Sequence, residues 1–343
     1  MSSSSRRSSE PIGKKPPKDA APPERPAAQR NRNDGDAELH EEISHTIGSP
    51  FLTESAGRGK PSGEVLREFQ AQVEETYSNH NQLEAAPIDR EDTEPVDAWY
   101  GSYGTRLSRV FAARGAEMSA AEMMAEALIG HDDRVRVTNT TDYPYGCICF
   151  LAIRARNGAA FVGTGWLADE RTVITAGHCV FMHREGGWAA SIDVFPGQNG
   201  RGERPYQTRA TRLWSTRGWT DQKSAPADYG AIRLDQRMSA VGTFGYGALS
   251  DSELRSELCH VVGYPADKRG EMWGHGRRLS AVRAETLIYD IDTYGGNSGG
   301  PVFMLRNGRP AVVGIHNYGD LTGNSATRIT GTVYQRIQGW VGA

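Results

Sequence analysis

From Arg134 onward the chain is written in short apolar or alternating runs, each closed by Gly, Asn or Asp. Cys147 to Arg154, Ala159 to Ala168, Thr172 to Ala176, Ile192 to Phe195 and Gly230 to Leu234 fit this pattern. So do His260 to Gly263, Leu287 to Ile291, Val302 to Leu305 and Val312 to His316. Runs of this length, with turn signals between them, argue for barrels or sandwiches of antiparallel strands and against βαβ units. Arg156-Asn157-Gly158, lying between two such runs, predicts a hairpin. The end of the chain breaks the pattern. Val333, Ile337 and Trp340 fall at helical spacing and predict a docking helix over Gly331 to Trp340. No internal repeat is visible. The expected fold class is all-β with a C-terminal helix.

The chain before this region has a different composition. Residues 1–60 are rich in Pro, Ser, Arg, Lys and Glu, in segments such as Pro11-Ile-Gly-Lys-Lys-Pro-Pro17 and Pro22-Pro-Glu-Arg-Pro26. Such segments cannot bury enough apolar surface to offset their ordering entropy, so a disordered tail is expected. Residues 61–126 carry two helical signals. Val65, Leu66, Phe69, Val73 and Tyr77 share one face of a helix over Gly63 to Tyr77, and Ser119 and Glu122 stand in capping-box register before a run to Leu128. Between them, Trp99-Tyr-Gly-Ser-Tyr103 is aromatic and unpatterned.

Charge excludes some partners. The chain holds 39 Lys and Arg against 42 Asp and Glu, a net charge of −3, which gives no reason to expect nucleic acid. No run approaches the ~18 apolar residues of a membrane helix, so no membrane partner is expected. Met1-Ser-Ser-Ser-Ser-Arg-Arg-Ser-Ser-Glu10 is basic enough to open a secretory signal, but no apolar stretch follows it.

Three stretches carry the chemistry: Thr175-Ala-Gly-His-Cys179, Asp228-Tyr-Gly-Ala-Ile-Arg-Leu234 and Gly295-Gly-Asn-Ser-Gly-Gly-Pro301. A hydroxyl nucleophile needs an imidazole to take its proton, and the imidazole needs a carboxylate to fix its tautomer. Ser298, His178 and Asp228 supply one of each. His178 follows the apolar run Thr172 to Ala176, which places it at a strand mouth, and Asp228 stands at the start of a strand. Gly295 and Gly296 allow the backbone to curl into a cradle, where the N–H groups of Gly296 and Ser298 are the expected oxyanion donors. The order His178, Asp228, Ser298 resembles that of two-barrel proteases of the chymotrypsin type; α/β-hydrolases and subtilisins use other orders.

Cysteine usage is ambiguous. Cys147, Cys149, Cys179 and Cys259 allow three complete pairings, and sequence does not choose among them. A bridge at Cys179 would tie the His178 turn to the barrel, with at most one of Cys147 and Cys149 as its partner. Cys-x-Cys without a surrounding His/Cys cluster is not a metal spacing, so no metal is expected.

Residues 127–343 further resemble the bacterial glutamyl endopeptidases, chymotrypsin-fold serine proteases that cut after acidic residues. The resemblance rests on Ile129-Gly-His-Asp-Asp-Arg134, Val137-Thr-Asn-Thr-Thr141, Tyr143-Pro-Tyr145, Val262-Gly-Tyr-Pro265, Asp292-Thr-Tyr-Gly-Gly-Asn-Ser298, Gly314-Ile-His316 and Ala326-Thr-Arg-Ile329. It implies two antiparallel six-stranded barrels, over about 127–245 and 246–343, preceded by a largely disordered pro-segment. It implies a monomer acting on polypeptides without a cofactor, secreted or extracytoplasmic although no signal peptide is visible. It implies a specificity pocket built on Thr293 and His316, where a hydroxyl and a protonatable imidazole meet a substrate carboxylate without a permanent buried charge. It also implies a mature N-terminus at Ala127, freed after Glu126, whose amine lies near that pocket.

Two residues depart from the simplest pattern. Asp292 falls where trypsin-type pockets select Arg or Lys, which keeps a trypsin-like protease as the rival expectation. Asn297 precedes the nucleophile where trypsin-like enzymes carry an Asp, so that ion pair to a freed amine is unavailable. The remaining alternative is an inactive protease-fold binding protein.

Overall fold

The computed structural model describes residues 42–46, 96–97, 132–306, 308–320 and 323–343. The helices expected over 63–77 and 119–128, the processing site at Glu126 and Ala127, and nearly all of the 1–60 and 61–126 segments lie outside the described residues.

Six strands close into a ring. They are β1 (Ile148–Arg154), β2 (Ala160–Leu167), β3 (Thr172–Thr175), β4 (Ser191–Pro196), β5 (Thr208–Thr216) and β6 (Gly230–Leu234). Their antiparallel pairings run β5-β6-β3-β2-β1-β4 and return from β4 to β5 through Val194–Thr208 and Asp193–Arg209. Closure leaves only short free edges within the ring, which is how a small antiparallel sheet limits exposed unpaired backbone. Along β1 the alternation works as expected: Leu151 and Ile153 turn inward and are buried, while Ala152 and Arg154 are more exposed.

The second sheet contains β7 (Cys259–Gly263), β8 (Met272–Arg277), β9 (Ala281–Val282), β10 (Thr286–Tyr289), β11 (Pro301–Arg306), β12 (Arg309–Asp320) and β13 (Gly323–Arg328). Its pairings form an open series, β9-β10-β13-β12-β11-β7-β8, extended by Val135–Val137 on β8, with Gly245–Tyr246 pairing β12. Among the described residues no ladder closes it, so the expected second six-stranded barrel appears as a nine-stranded open sheet. Both faces are apolar. Cys259, Val261, Val302, Met304 and Val313 turn into the sheet's own core, whereas Val262, Phe303, Val312 and Ile315 join the core that continues into the ring. That division, alternate along β7 and β11 and shifted by a bulge in β12, packs the two sheets against each other. The C-terminal helix Gly331–Gly342 begins at its Thr330 cap and lays Val333, Ile337 and Trp340 on the same core, with the Trp340 ring 5.6 Å from Tyr229.

All four cysteines are buried free thiols, which corrects the expectation of a disulfide at Cys179. The residue facing Cys179 is Gly163, where a Cβ would lie only 2.8 Å from Cys179 Sγ, so the position opposite the thiol offers no sulfur. Cys147 Sγ instead donates to the Val241 carbonyl at 3.3 Å.

Candidate active site

His178 lies in the helical turn Gly177–Val180 after β3, and Asp228 ends the 3-10 turn Ala225–Ala227 before β6. β3 and β6 are paired neighbours, with Thr175 opposite Gly230, so the two turns emerge side by side. His178 Nδ1 stands 2.8 Å from Asp228 Oδ2, and the His178 backbone N–H donates to Oδ1 at 2.8 Å. Both side chains are wholly buried. Gly177 makes the approach possible: a Cβ there would sit 2.9 Å from Asp228 Oδ1 and 2.8 Å from Trp219 Cδ1. Burial opposes an imidazolium at His178, but the Asp228 charge, helped by Cys179, outweighs it and holds the pKa well above the ordinary histidine value.

The second sheet braces this pair. From β12, the Tyr318 hydroxyl donates to Asp228 Oδ2 at 2.8 Å, and Asn317 Nδ2 donates to the Asp228 carbonyl while also reaching Thr327 Oγ1 at 2.8 Å. The Ser298 loop comes from the same sheet, just before β11. The Ser298 carbonyl accepts the Thr164 N–H at 2.8 Å and lies 3.5 Å from Sγ of Cys179, the residue after His178. Two glycines permit this packing. Gly299, at φ 87°, abuts Thr175 Oγ1 and the Thr164 carbonyl, leaving no room for a Cβ. Gly296, at φ 104°, is pressed in the same way against the Tyr264 carbonyl, and its own carbonyl accepts from Thr164 Oγ1 at 2.7 Å.

The expected pocket residues are buried beside this loop. Thr293 is among them, and His316 is tied to it by two backbone bonds: Gly299 N–H to the His316 carbonyl at 2.7 Å, and His316 N–H to the Gly300 carbonyl at 2.9 Å. The His316 ring is held by Tyr289 Oη, 2.6 Å from Nδ1, and by the backbone of Ser325. Burial, and then the neighbouring His178, push its pKa down to about 3, so the ring is neutral at ordinary pH. Burial also raises the Tyr289 phenol, which stays protonated beside Nδ1.

Asp292 has an unexpected set of partners. Its Oδ2 accepts the backbone N–H of Asp133 at 2.9 Å, and its own N–H donates to His275 Nδ1 at 2.9 Å. Arg277 Nη2 in turn sits 2.7 Å from Asp133 Oδ2. Donor atoms of Asp133, His275 and Asp292 lie within 4.8 Å of one another. A cation there would face the Arg277 guanidinium, and the His275 nitrogen is already spent on a backbone N–H. The donor set suits an anchor for the chain at Asp133 better than a metal.

Tyr289, Tyr318, Asn317 and Thr164 escaped the sequence reading. Asn317 and Tyr318 directly follow His316 and could have been suspected from that alone. Tyr289 and Thr164 meet the site only through strand register, which no local pattern reports.

Polar residues gathered where a closed antiparallel ring abuts a second sheet define a peptidase of the chymotrypsin-like class. The trypsin-like peptidase domain matches residues 163–315. The chain is 37% identical over 230 residues to the extracellular metalloprotease of Bacillus subtilis, covering 65% of this chain and 72% of that one. It is 37% identical over 225 residues to the glutamyl endopeptidase of Bacillus licheniformis, covering 63% and 69%. A solved Glu endopeptidase in complex with MPD matches with a TM-score of 0.57 and 25% identity, over 63% of this chain and 100% of that one. The chain belongs to the trypsin-like serine endopeptidases, among the homologues of the glutamyl endopeptidases.

Proposed function

We propose that the protein hydrolyses peptide bonds after Glu, and less readily after Asp, through an acyl-enzyme on Ser298. His178 Nε2 takes the hydroxyl proton as Ser298 Oγ attacks the carbonyl carbon, while Asp228 holds the tautomer and stabilises the imidazolium. The backbone N–H groups of Gly296 and Ser298 receive the oxyanion. The amine leaves with the proton from His178. Water, deprotonated by the same imidazole, then releases the acid and restores the serine. The observation that carries this reading is the 2.8 Å His178–Asp228 contact with the Ser298 carbonyl against the adjoining Cys179.

Thr293, His316 and the amine of Ala127 are the proposed carboxylate-binding groups. A substrate carboxylate beside the neutral His316 would raise its pKa, so the ring gains a proton as its counter-ion arrives and loses it on release. Commitment of the Asp292 carboxylate to Asp133 supports acidic over basic specificity, because a pocket selecting Arg or Lys needs that charge for the substrate. The protein is read as a precursor cut between Glu126 and Ala127, and as a monomer working outside the cytoplasm without a cofactor. The word extracellular in the name of the B. subtilis relative supports that location. No helix among the described residues is long and apolar enough to cross a membrane.

A peptide-library digest tests the proposal. Cuts should follow Glu, with Asp second. Cuts after Arg or Lys would establish the trypsin-like rival. Absence of cleavage, together with absence of a phosphonofluoridate label on Ser298, would leave a binding protein.

A further inference from the structure

The strand Val96–Asp97, from the segment before the peptidase domain, pairs in parallel with Phe161 and Val162 of β2. β3 covers β2 only from Gly165 to Leu167, so the added strand takes the edge that the ring leaves over. That edge borders a groove of about 400 Å³ between the ring and the loop after Tyr264. Phe161 and Val162 line it together with Arg154, Arg201, Arg204 and Arg269, all four exposed. The Arg204 guanidinium lies over the Phe195 ring, 4.7 Å from its centroid. Asp193, the acidic residue on the described wall, is tied to Arg209 at 2.7 Å. The groove therefore offers an apolar strand edge framed by positive charge.

The chain carries a segment of matching chemistry. Asp89-Arg-Glu-Asp-Thr-Glu-Pro-Val-Asp97 holds five carboxylates against one guanidinium, and it ends in the strand that pairs with β2. The register sets the direction. Val96 stands opposite Phe161 and Asp97 opposite Val162, so the parallel ladder starts beside Ala160, whose partner on β1 is Arg154. We propose that the arginine-lined groove is a docking surface for this acidic segment of the same chain. Backbone pairing at Phe161 and Val162 fixes its register, and the four arginines supply charge complementarity. Thr164, whose N–H bonds the Ser298 carbonyl, lies beyond Val162 in the other direction, so the docked segment leads away from the Ser298 loop. The inference concerns binding alone and holds whichever residue the enzyme prefers to cut after.

Hydrogen exchange on the full-length chain carrying Ser298→Ala, verified as uncut by mass, tests it at residues 159–164. These amides should exchange about tenfold faster once Glu91→Gln, Asp92→Asn and Glu94→Gln are introduced together, since a tenfold change reports about 1.4 kcal/mol of local opening. Raising the salt to about 1 M, where the Debye length falls to roughly 3 Å, should act in the same direction. Exchanging the charges, with Glu91→Arg and Glu94→Arg against Arg201→Glu and Arg204→Glu, should restore protection. Unchanged exchange in the neutralised chain overturns the proposal, and so does a loss that a folded charge-exchanged chain fails to restore. The neutralised positions lie outside the peptidase domain, so this test survives even if the arginine variants do not fold.

Discussion

Asp228 receives donors from the His178 ring, the His178 backbone and Tyr318, so its carboxylate has little freedom to turn. Replacing it by Asn should lower kcat by roughly 10⁴-fold, because an amide accommodates the wrong imidazole tautomer. The pH dependence follows from the raised His178 pKa. In the proposed mechanism the neutral ring is the base, so activity should be lost as pH falls through that raised value, and removing the carboxylate should move the acid limb of the kcat profile to lower pH. An unmoved limb would deny Asp228 this part. Ser298→Ala should give a folded protein with kcat lower by roughly 10⁴- to 10⁶-fold. His316→Ala should reduce kcat/KM on Glu substrates by about 2–3 kcal/mol, the scale of a lost charge-assisted hydrogen bond. Asp292→Asn should leave Glu cleavage nearly intact while lowering stability by about 1 kcal/mol in urea titration, since its carboxylate serves the Asp133 amide.

Strands whose buried face is apolar follow the expected runs: β1, β2, β3, β4, β6, β7, β10, β11 and the middle of β12 fall within a few residues of them. β5, β8 and β13 do not. Leu213, Trp214 and Met272 apart, their buried positions include Thr208, Ala210, Ser215 and Thr216, Gly274 and Gly276, and Asn324 and Ala326, residues that break up any hydrophobic period. Gly276 has a packing reason, since a Cβ there would lie 2.5 Å from His260 Nδ1. The candidate site divides along the same line. His178, Asp228 and Ser298 each sit in a short local motif, whereas Tyr289 and Thr164 reach the site through pairings between distant strands. The C-terminal helix was legible because Trp340, Ile337 and Val333 share one face. Trp340 is fully buried against Tyr229, the residue after Asp228, so Trp340→Ala should cost about 3–5 kcal/mol in chemical denaturation. A cost below about 1 kcal/mol would mean that the helix merely covers the ring.

For the whole molecule, activation is the test that joins the segments. The chain just after the proposed cut is firmly held: Arg134 pairs with Asp132 and Asp267, and Asp133 is tied to Arg277 and Asp292. Asp292 adjoins Thr293, so an amine at Ala127 is leashed within about 20 Å of the proposed pocket by the six residue steps from Ala127 to Asp133. Self-processing predicts that N-terminal sequencing finds Ala127 in the native protein and an uncut Glu126–Ala127 bond in Ser298→Ala. Both forms beginning at Ala127 would assign the cut to another protease. The four cysteines carry a last consequence. Cys147, Cys149 and Cys259 are buried and their thiols pushed up, Cys259 to about 12, so they are protonated and poorly reactive. Dithiothreitol should leave both the melting temperature and the turnover of this domain where they were. Oxidative folding machinery has nothing to contribute to it, and its durability rests on packing that a reducing environment cannot touch.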